Sequence, residues 1–334
     1  MDRRGVLLCV LLACAADAPP PHVPSITTSS RGVFVDGAPY APVGYCNHAH
    51  LLGGKGRSYD IEAAEGFSSI FIYRGLPGQN EGRWGNESWP DTMAFLDRAA
   101  AVGVRVLFDF SQNVMLPPMC GIDRCSKVGK PTPEPPYDVI RDAVRRVKDH
   151  PALLSWYLID EPDGGDYPPA YVHAAAQIIR ELDQKHPITA CFDTTNRPDG
   201  TWQRYADAVD VLLADIYPIS GSSEACLRSN GCDISKDIGD SVRATVTHTG
   251  KPCWFVPQAF GNQEGVQREP SRGEARVMSY TSIIAGATGL YFFTKEDTDK
   301  TPPVVLDYVH VGSAQPRSSY SPLLYRTAAH SFCI

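Results

Sequence analysis

Short apolar runs alternate with amphipathic segments along most of the chain, and this alternation predicts the fold. The apolar runs have the length and the aliphatic and aromatic content of strands that are buried on both faces. Eight such runs lie at residues 41–47, 68–75, 105–110, 153–162, 188–195, 209–218, 252–261 and 290–294. Segments of helical character lie between them, at residues 59–66, 91–103, 137–150, 169–185, 237–248 and 272–287. Eight strand–helix units predict an α/β protein whose parallel sheet closes into a (β/α)8 TIM barrel.

The N-terminal residues have a different pattern. Residues 1–18 have the features of a signal peptide: two arginines precede an apolar run, and Ala16-Asp17-Ala18 resembles a cleavage site. Residues 19–30 are rich in Pro, Ser and Thr and are predicted to be an unstructured linker. The barrel domain is predicted over residues 31–300 and begins with a β-hairpin that turns at Asp36-Gly37. We therefore expect a secreted, extracellular protein.

The C-terminal residues 301–334 are rich in Pro and Ser and have weak helical character. They are predicted to be an irregular tail, although a barrel of this kind ends with a helix after its eighth strand. Two interpretations remain open, a degenerate last helix and an incomplete gene model.

Charge and cysteine content restrict the function classes. The net charge of −7 among 334 residues argues against nucleic acid as a partner, because nucleic acid needs a basic surface. After the signal peptide no stretch is long and apolar enough to span a membrane. Two close pairs, Cys120/Cys125 and Cys226/Cys232, predict short disulfides, and a sequon at Asn86 predicts a glycoprotein if the chain is exported. A zinc site competes with the disulfides, but no histidine stands near either pair at ligand spacing.

Polar side chains follow the predicted strands at the same end. Strand four ends in Asp160-Glu161-Pro162, where two carboxylates follow a run of apolar residues. Burial of a polar group without a partner costs a few kcal/mol, so one shared polar pocket explains the polar residues at the strand ends better than separate burial of each. The carboxyl ends of the other strands add Arg74, Asp109, Asp193, Asp215, Tyr217 and Gln258.

Five motifs together resemble a known family. They are WYLIDEPD, HPITACFDTT, DVLLADIYPI, PCWFVPQAFG and EARVMSYTSIIAGATGLYFF. In order and spacing these motifs resemble the (β/α)8 glycoside hydrolases of the large retaining clan, in a poorly characterised branch with Asp-Glu-Pro on strand four. The resemblance covers roughly residues 33–295 and implies a carbohydrate substrate.

The resemblance also implies roles for individual residues. Glu161 would be the general acid/base, which protonates the glycosidic oxygen and then activates water. Asp160 takes the place of an asparagine that contacts the sugar, Arg74 that of an arginine that supports the nucleophile, and Tyr217 that of an aromatic residue that orients it. Aromatic residues that could stack on sugar rings, or equally pack in the core, are Trp84, Trp89, Trp202 and Phe260.

Strand seven departs from this pattern. The clan has a nucleophilic glutamate at its end, and this chain has Gln258, whose amide cannot form a glycosyl-enzyme. Three interpretations remain open. A second carboxylate could come from Asp215, Asp193 or Glu264, the substrate could supply the nucleophile, or the barrel could bind carbohydrate without cleaving it.

The sequence therefore predicts a secreted glycosidase that hydrolyses O-glycosidic bonds of an oligo- or polysaccharide, with catalytic residues Glu161, Asp160 and Asp215. The residues predicted to bind the substrate are Arg74, Tyr217, Gln258, Asp109, Asp193 and Trp84. The alternative is a non-catalytic carbohydrate-binding barrel. A barrel metallohydrolase is a third possibility, since His48 and His50 form a His-x-His pair, but later strands end without further histidines. No cofactor or metal is predicted.

Overall fold

The computed structural model describes residues 22–47, 66–72, 76, 88–111, 114–116, 131–165, 167–193, 195, 200–219, 233–261 and 268–295. Several predictions concern residues outside these ranges. They are the signal peptide, both cysteine pairs, the irregular tail, Asn86, His48, His50, Arg74, Trp84 and Glu264.

Eight parallel strands close into a barrel, which confirms the predicted (β/α)8 fold. Around the barrel, strands that follow one another in the chain lie side by side, and the last strand closes on the first. Each strand coincides with one of the predicted apolar runs. Their bounds are β4 Val43–Asn47, β5 Ser69–Ile72, β6 Arg105–Asp109, β7 Leu153–Asp160, β8 Ile188–Phe192, β9 Val211–Ala214, β10 Cys253–Phe255 and β11 Ala287–Lys295.

A small antiparallel sheet precedes the barrel. The predicted hairpin is present as β2 (Gly32–Val35) and β3 (Ala38–Tyr40), and both Asp36 and Gly37 have positive φ angles, as a tight hairpin turn requires. The linker prediction was wrong at its end, because Ile26–Ser29 form a strand, β1, that pairs with β2. Ile26 is buried beside Val33 in one apolar cluster, and this tertiary contact outweighs the Ser- and Thr-rich local sequence.

Five α-helices surround the barrel within the described ranges. The capping boxes Ser88/Asp91 and Ser271/Glu274 start α1 and α5, and Asp233 caps α4. Glu274 also pairs with Arg268, which lowers the pKa of Glu274 to about 2. The bounds are α1 Trp89–Ala101, α2 Tyr137–Val147, α3 Pro169–Leu182, α4 Ile234–Thr249 and α5 Arg272–Ile284.

Between β8 and β9 the described residues form a 3-10 helix, Thr201–Ala208. Its Trp202 is 1% exposed, with its ring near those of Phe192 and His248. Trp202 is therefore a core residue, and its predicted alternative role in stacking on sugar is wrong. No helix within the described residues is long and apolar enough to cross a membrane.

The core is divided by the barrel wall. One apolar cluster lines the barrel interior and includes Phe71, Tyr157, Leu213, Trp254 and Tyr291. Two further clusters fill the space between strands and helices. The side chains of each strand alternate between these environments. The polar residues that follow the strands lie at the carboxyl end of the barrel.

Candidate active site

Glu161 lies immediately after β7, in a backbone conformation that is rare for residues other than glycine. Its φ angle is 42°, in the left-handed region where a Cβ atom crowds the backbone. Its N–H donates to the carbonyl oxygen of Cys191 at 3.0 Å, so the neighbouring strand β8 holds this turn. Strained backbone of this kind is concentrated at functional sites. The partly buried Glu161 lies at the carboxyl end of the barrel, where the active sites of such barrels lie.

Asp160 is the last residue of β7 and is held by a tyrosine of the same strand. The Tyr157 hydroxyl donates to Oδ1 of Asp160 at 2.5 Å. The structure therefore restrains the carboxylate beside Glu161.

Asp215 follows β9 and is a buried carboxyl group, only 6% exposed. Its Oδ2 accepts from the Tyr217 hydroxyl at 2.8 Å and lies 3.7 Å from the Cys191 Sγ. Its Oδ1 is buried and has no hydrogen-bond partner among the described residues. Burial raises the pKa of Asp215 well above its usual value, the charges of Asp160 and Asp193 add to this, and the Tyr217 hydrogen bond opposes it. The carboxyl group thus holds its proton at a pH at which exposed aspartates are ionised.

Asp193 comes just after β8 and packs against the loop that follows Glu161. Its Oδ1 is buried without a hydrogen-bond partner among the described residues. A Cβ atom placed on Gly164 would lie 2.6 Å from Asp193 Oδ2, so only glycine permits this approach. The structure thus brings Asp160 and Asp193 close enough to Asp215 that the charge of each raises the pKa of Asp215.

Asp109 ends β6 and has a local structural contact. Its Oδ1 accepts from the backbone N–H of Ser111 at 2.7 Å and from the Ser111 hydroxyl at 2.6 Å. The carboxylate therefore stabilises the turn that leaves β6. Its predicted contact with substrate stays a prediction.

Gln258 is fully buried, and its side-chain amide is bonded to the backbone. Its Nε2 donates to the carbonyl oxygens of Ile219 and Phe260, at 3.1 and 3.2 Å, and its Oε1 accepts from the Ile219 N–H at 3.2 Å. The two bonds to Ile219 join the segment after β10 to the segment after β9, and the bond to Phe260 lies within the segment after β10. The observed contacts of Gln258 are structural and give no support to the substrate contact predicted for it.

Two cysteines lie beneath the carboxylates, and sequence reasoning assigned them no role. Cys46 of β4 and Cys191 of β8 are buried in the barrel interior. Burial raises the pKa of both thiols well above the usual value, and the charges of Asp215 and Asp160 raise it further. Cys253, on β10, is also buried. No motif marked these residues, because a cysteine in an apolar strand has the pattern of any small core residue.

The aromatic residues divide between the site and the outer layer. Tyr217 stacks on Phe293 at 5.8 Å between ring centroids and meets Phe260 edge-on at 4.9 Å. Phe260 is only 3% exposed, so it supports Tyr217 rather than presenting a face for a sugar. Trp89 lies on α1 under the Arg146 guanidinium, 5.0 Å from it, in the helical layer, so its predicted sugar contact is unsupported.

The described residues contain no group of three or more His, Cys, Asp or Glu side chains that could hold a metal ion. The arrangement nevertheless offers carboxyl groups of different character. Glu161 is partly exposed, whereas Asp215 is buried with a raised pKa. Pairs of carboxyl groups with contrasting environments can divide acid and base roles.

Comparisons with known proteins agree with this fold. The family model for glycoside hydrolase family 42, described as beta-galactosidase, matches residues 165–300, which is less than half of the chain and begins after Glu161. A β-D-glucuronidase from Dictyoglomus thermophilum has a TM-score of 0.60 at 15% identity, covering 88% of this chain and 54% of that chain. A β-glucuronidase from an uncultured Clostridium species has a TM-score of 0.57 at 14% identity, with 87% and 54% covered. The β-glucuronidase of Ruminococcus gnavus has a TM-score of 0.54 at 13% identity, with 81% and 46% covered.

The chain thus spans about half the length of these solved structures. A separate sequence match is to the sodium/potassium-transporting ATPase subunit beta-2 of Rhinella marina, 28% identical over 116 residues, or 34% of this chain and 37% of that one. A match over a third of each chain carries no argument about the barrel. The closed barrel, its structural neighbours and the matched segment together confirm that the chain resembles the (β/α)8 glycoside hydrolases.

Proposed function

We propose that the protein hydrolyses O-glycosidic bonds of an oligo- or polysaccharide, with Glu161 as the general acid/base. The observation that carries the proposal is the left-handed backbone of Glu161, held by Cys191, at the carboxyl end of the barrel beside Asp160. A non-glycine residue in this conformation costs free energy, and catalysis is a reason to keep a glutamate there. In this role Glu161 protonates the leaving oxygen and afterwards deprotonates the attacking water.

Asp215 is the second carboxyl group in the proposal. Burial raises its pKa, and a carboxyl group cannot act as a nucleophile while it is protonated. Its Oδ1 has no partner among the described residues, so we propose that a substrate hydroxyl or the attacking water meets this atom. Asp160 then orients the sugar next to Glu161. Arg74, Asp193 and Trp84 stay in the proposal as residues that contact the substrate.

The names of the similar proteins suggest which substrates to try first. A panel of 4-nitrophenyl β-glycosides that includes the β-galactoside and the β-glucuronide tests hydrolysis directly, and proton NMR of the product gives retention or inversion. We expect Glu161→Gln to lower kcat/KM by about 10² to 10⁴, the usual contribution of a general acid/base. Asp215→Asn should lower kcat as well. Glu181→Gln, on the exposed face of α3, is the matched control, and it should retain full activity.

The second candidate function is carbohydrate binding without catalysis. It is favoured by Gln258, whose amide stands where the clan has its nucleophile and is bonded to the backbone. Wild-type protein that binds sugars in calorimetry but cleaves none of the panel, at any pH, would establish this alternative and overturn the first proposal.

We also propose that the protein is secreted, on the basis of residues 1–18 and the predicted disulfides. N-terminal sequencing of the protein from a eukaryotic secretion host should show a mature end close to residue 19. Retention of the chain inside the cell, with residues 1–18 uncleaved, would contradict this proposal.

A further inference from the structure

The strand that carries Asp160 contains a shift in register. Tyr157 of β7 lies opposite Thr189 of β8, but the next pair joins Ile159 to Ala190, so β7 has one extra residue at this point. In a regular strand, residues three apart lie on opposite faces. A bulge changes this alternation and re-aims the side chains that follow it.

The packing shows the result of the bulge. Leu158 and Ile159 both lie in the apolar cluster between strands and helices, whereas Tyr157 lies in the cluster that lines the barrel interior. The two successive outward residues bring Asp160 back to the side of Tyr157. This is why the Tyr157 hydroxyl reaches Oδ1 of Asp160, at 2.5 Å, within one strand.

The tyrosine ring is itself held in place. Tyr157 is 0% exposed, and its ring centroid is 3.9 Å from that of Phe71 on β5. A buried phenol packed in this way has little freedom to follow a moving partner. The hydroxyl therefore restrains the Asp160 carboxylate through Oδ1.

We propose that Tyr157 is a positioning residue: its hydroxyl orients the Asp160 carboxylate, and the bulge in β7 is what brings the two together. The two oxygens of a carboxylate are chemically equivalent, and a donor on Oδ1 makes them different. Asp160 and Glu161 are adjacent, so a fixed Asp160 also restrains the strained turn at Glu161. The consequence for carbohydrate hydrolysis rests on the proposed function, whereas the positioning does not.

The test replaces Tyr157 by phenylalanine, which keeps the ring against Phe71 and removes only the hydroxyl. Tyr291→Phe is the matched control, because Tyr291 is another fully buried phenol of the barrel interior, bonded to Ser69 Oγ at 2.6 Å. The readout is the titration of the Asp160 carboxyl carbon, followed by NMR on protein labelled with ¹³C at aspartate side chains and assigned with Asp160→Asn. Donation to the charged form favours that form, so Tyr157→Phe should move the midpoint upward by about one pH unit.

Other titrating groups act on the same carboxyl and must be followed with it. Among the described residues these groups come from three strands and from β7 itself. They are Cys46 on β4, Cys191 on β8, Asp193 just after β8, Asp215 just after β9, Tyr157 on β7 and Glu161 just after it. Tyr291→Phe leaves all of them in place, so it should not move the Asp160 midpoint.

The outcomes separate the positioning from the proposed function. An unchanged Asp160 midpoint in Tyr157→Phe, or an equal shift in Tyr291→Phe, overturns the positioning role. If wild type cleaves an aryl glycoside, Tyr157→Phe should lower kcat/KM about tenfold, with the loss mainly in kcat. If wild type cleaves none but the midpoint moves as expected, the proposed function fails and the positioning role stands.

A measurement on protein with an intact Tyr157 covers the case in which Tyr157→Phe does not fold. A hydroxyl proton shared between Tyr157 and Asp160 should give a downfield proton resonance in wild type. Tyr291→Phe should retain this resonance, and Asp160→Ala should remove it. A wild-type spectrum without such a resonance overturns the proposal.

Discussion

Replacing Gln258 by glutamate tests whether this side chain has a structural role. The change preserves size and supplies a carboxylate at the position where the resembling enzymes have their nucleophile. In this protein the side chain is 0% exposed and is bonded to Ile219 and Phe260. We therefore expect Gln258→Glu to destabilise the fold and to add no catalytic group.

The hydrogen bonds set the magnitude of the loss. An ionised carboxylate at this position loses both donors, so the carbonyl oxygens of Ile219 and Phe260 lose their partner, at about 1 to 3 kcal/mol for each buried group. A protonated carboxyl keeps one donor and leaves one of the two carbonyl oxygens without a partner. The folded protein thus favours the protonated form, and the pKa of the introduced group lies above its value of about 4.3 in the unfolded chain.

The sign of the pH dependence follows from this difference. A folded state that binds the proton more tightly than the unfolded state loses stability as pH rises above about 4.3, by up to about 1.4 kcal/mol for each pH unit. We expect Gln258→Glu to be less stable than wild type by about 1 to 3 kcal/mol at pH 4.5 and by about 3 to 5 kcal/mol at pH 7.5. The loss stops growing above the folded-state pKa of the new carboxyl.

Urea unfolding of wild type and variant at both pH values measures this difference. Gln258→Met is the matched control, since it removes the same hydrogen bonds without a titrating group and should cost a similar amount at both pH values. A Gln258→Glu variant that is as stable as wild type at pH 7.5 would refute the structural role. So would a loss that is the same at both pH values.

Two further predictions concern the loop after β7. Glu161→Gly should be more stable than Glu161→Ala by about 1 kcal/mol, because alanine retains the strain at the φ angle of 42° and glycine does not. Equal free energies of unfolding in urea would show that the backbone at this position is not strained. Gly164→Ala should destabilise by about 1 to 3 kcal/mol, because its Cβ meets Asp193 Oδ2 at 2.6 Å. Combining it with Asp193→Ala should recover part of that loss in thermal unfolding, and additive losses would show that no such contact exists.

The barrel could be predicted from the sequence because its signals are local. A strand buried on both faces is a continuous apolar run, and Leu153–Asp160 shows this over its whole length. Helix starts are equally local, since Ser88 and Ser271 cap helices through residues three positions away. The strand ends, and with them the positions of Asp160, Glu161 and Asp215, can therefore be predicted from the sequence.

Contacts between distant segments could not be predicted in the same way. Ile26–Ser29 form a strand only because β2 pairs with them, although their sequence favours a linker. The structural role of Gln258 depends on its hydrogen bond to the carbonyl oxygen of Ile219, 39 positions away in the chain. The sequence around Trp202 is compatible with a surface or a core position, and its contacts with Phe192 and His248 place it in the core.

The sequence by itself determined the closed parallel barrel and the row of carboxyl groups at one end of it, because both follow from periodicity and from strand ends. Only the tertiary structure decided what state those groups are in. Burial and the nearby Asp160 and Asp193 raise the pKa of Asp215, the bulge in β7 turns Asp160 toward Tyr157, and the side-chain amide of Gln258 is bonded to the backbone. The physical reason is that solvation, charge–charge interaction and hydrogen bonding depend on distance in space, which the order of residues along a chain does not contain.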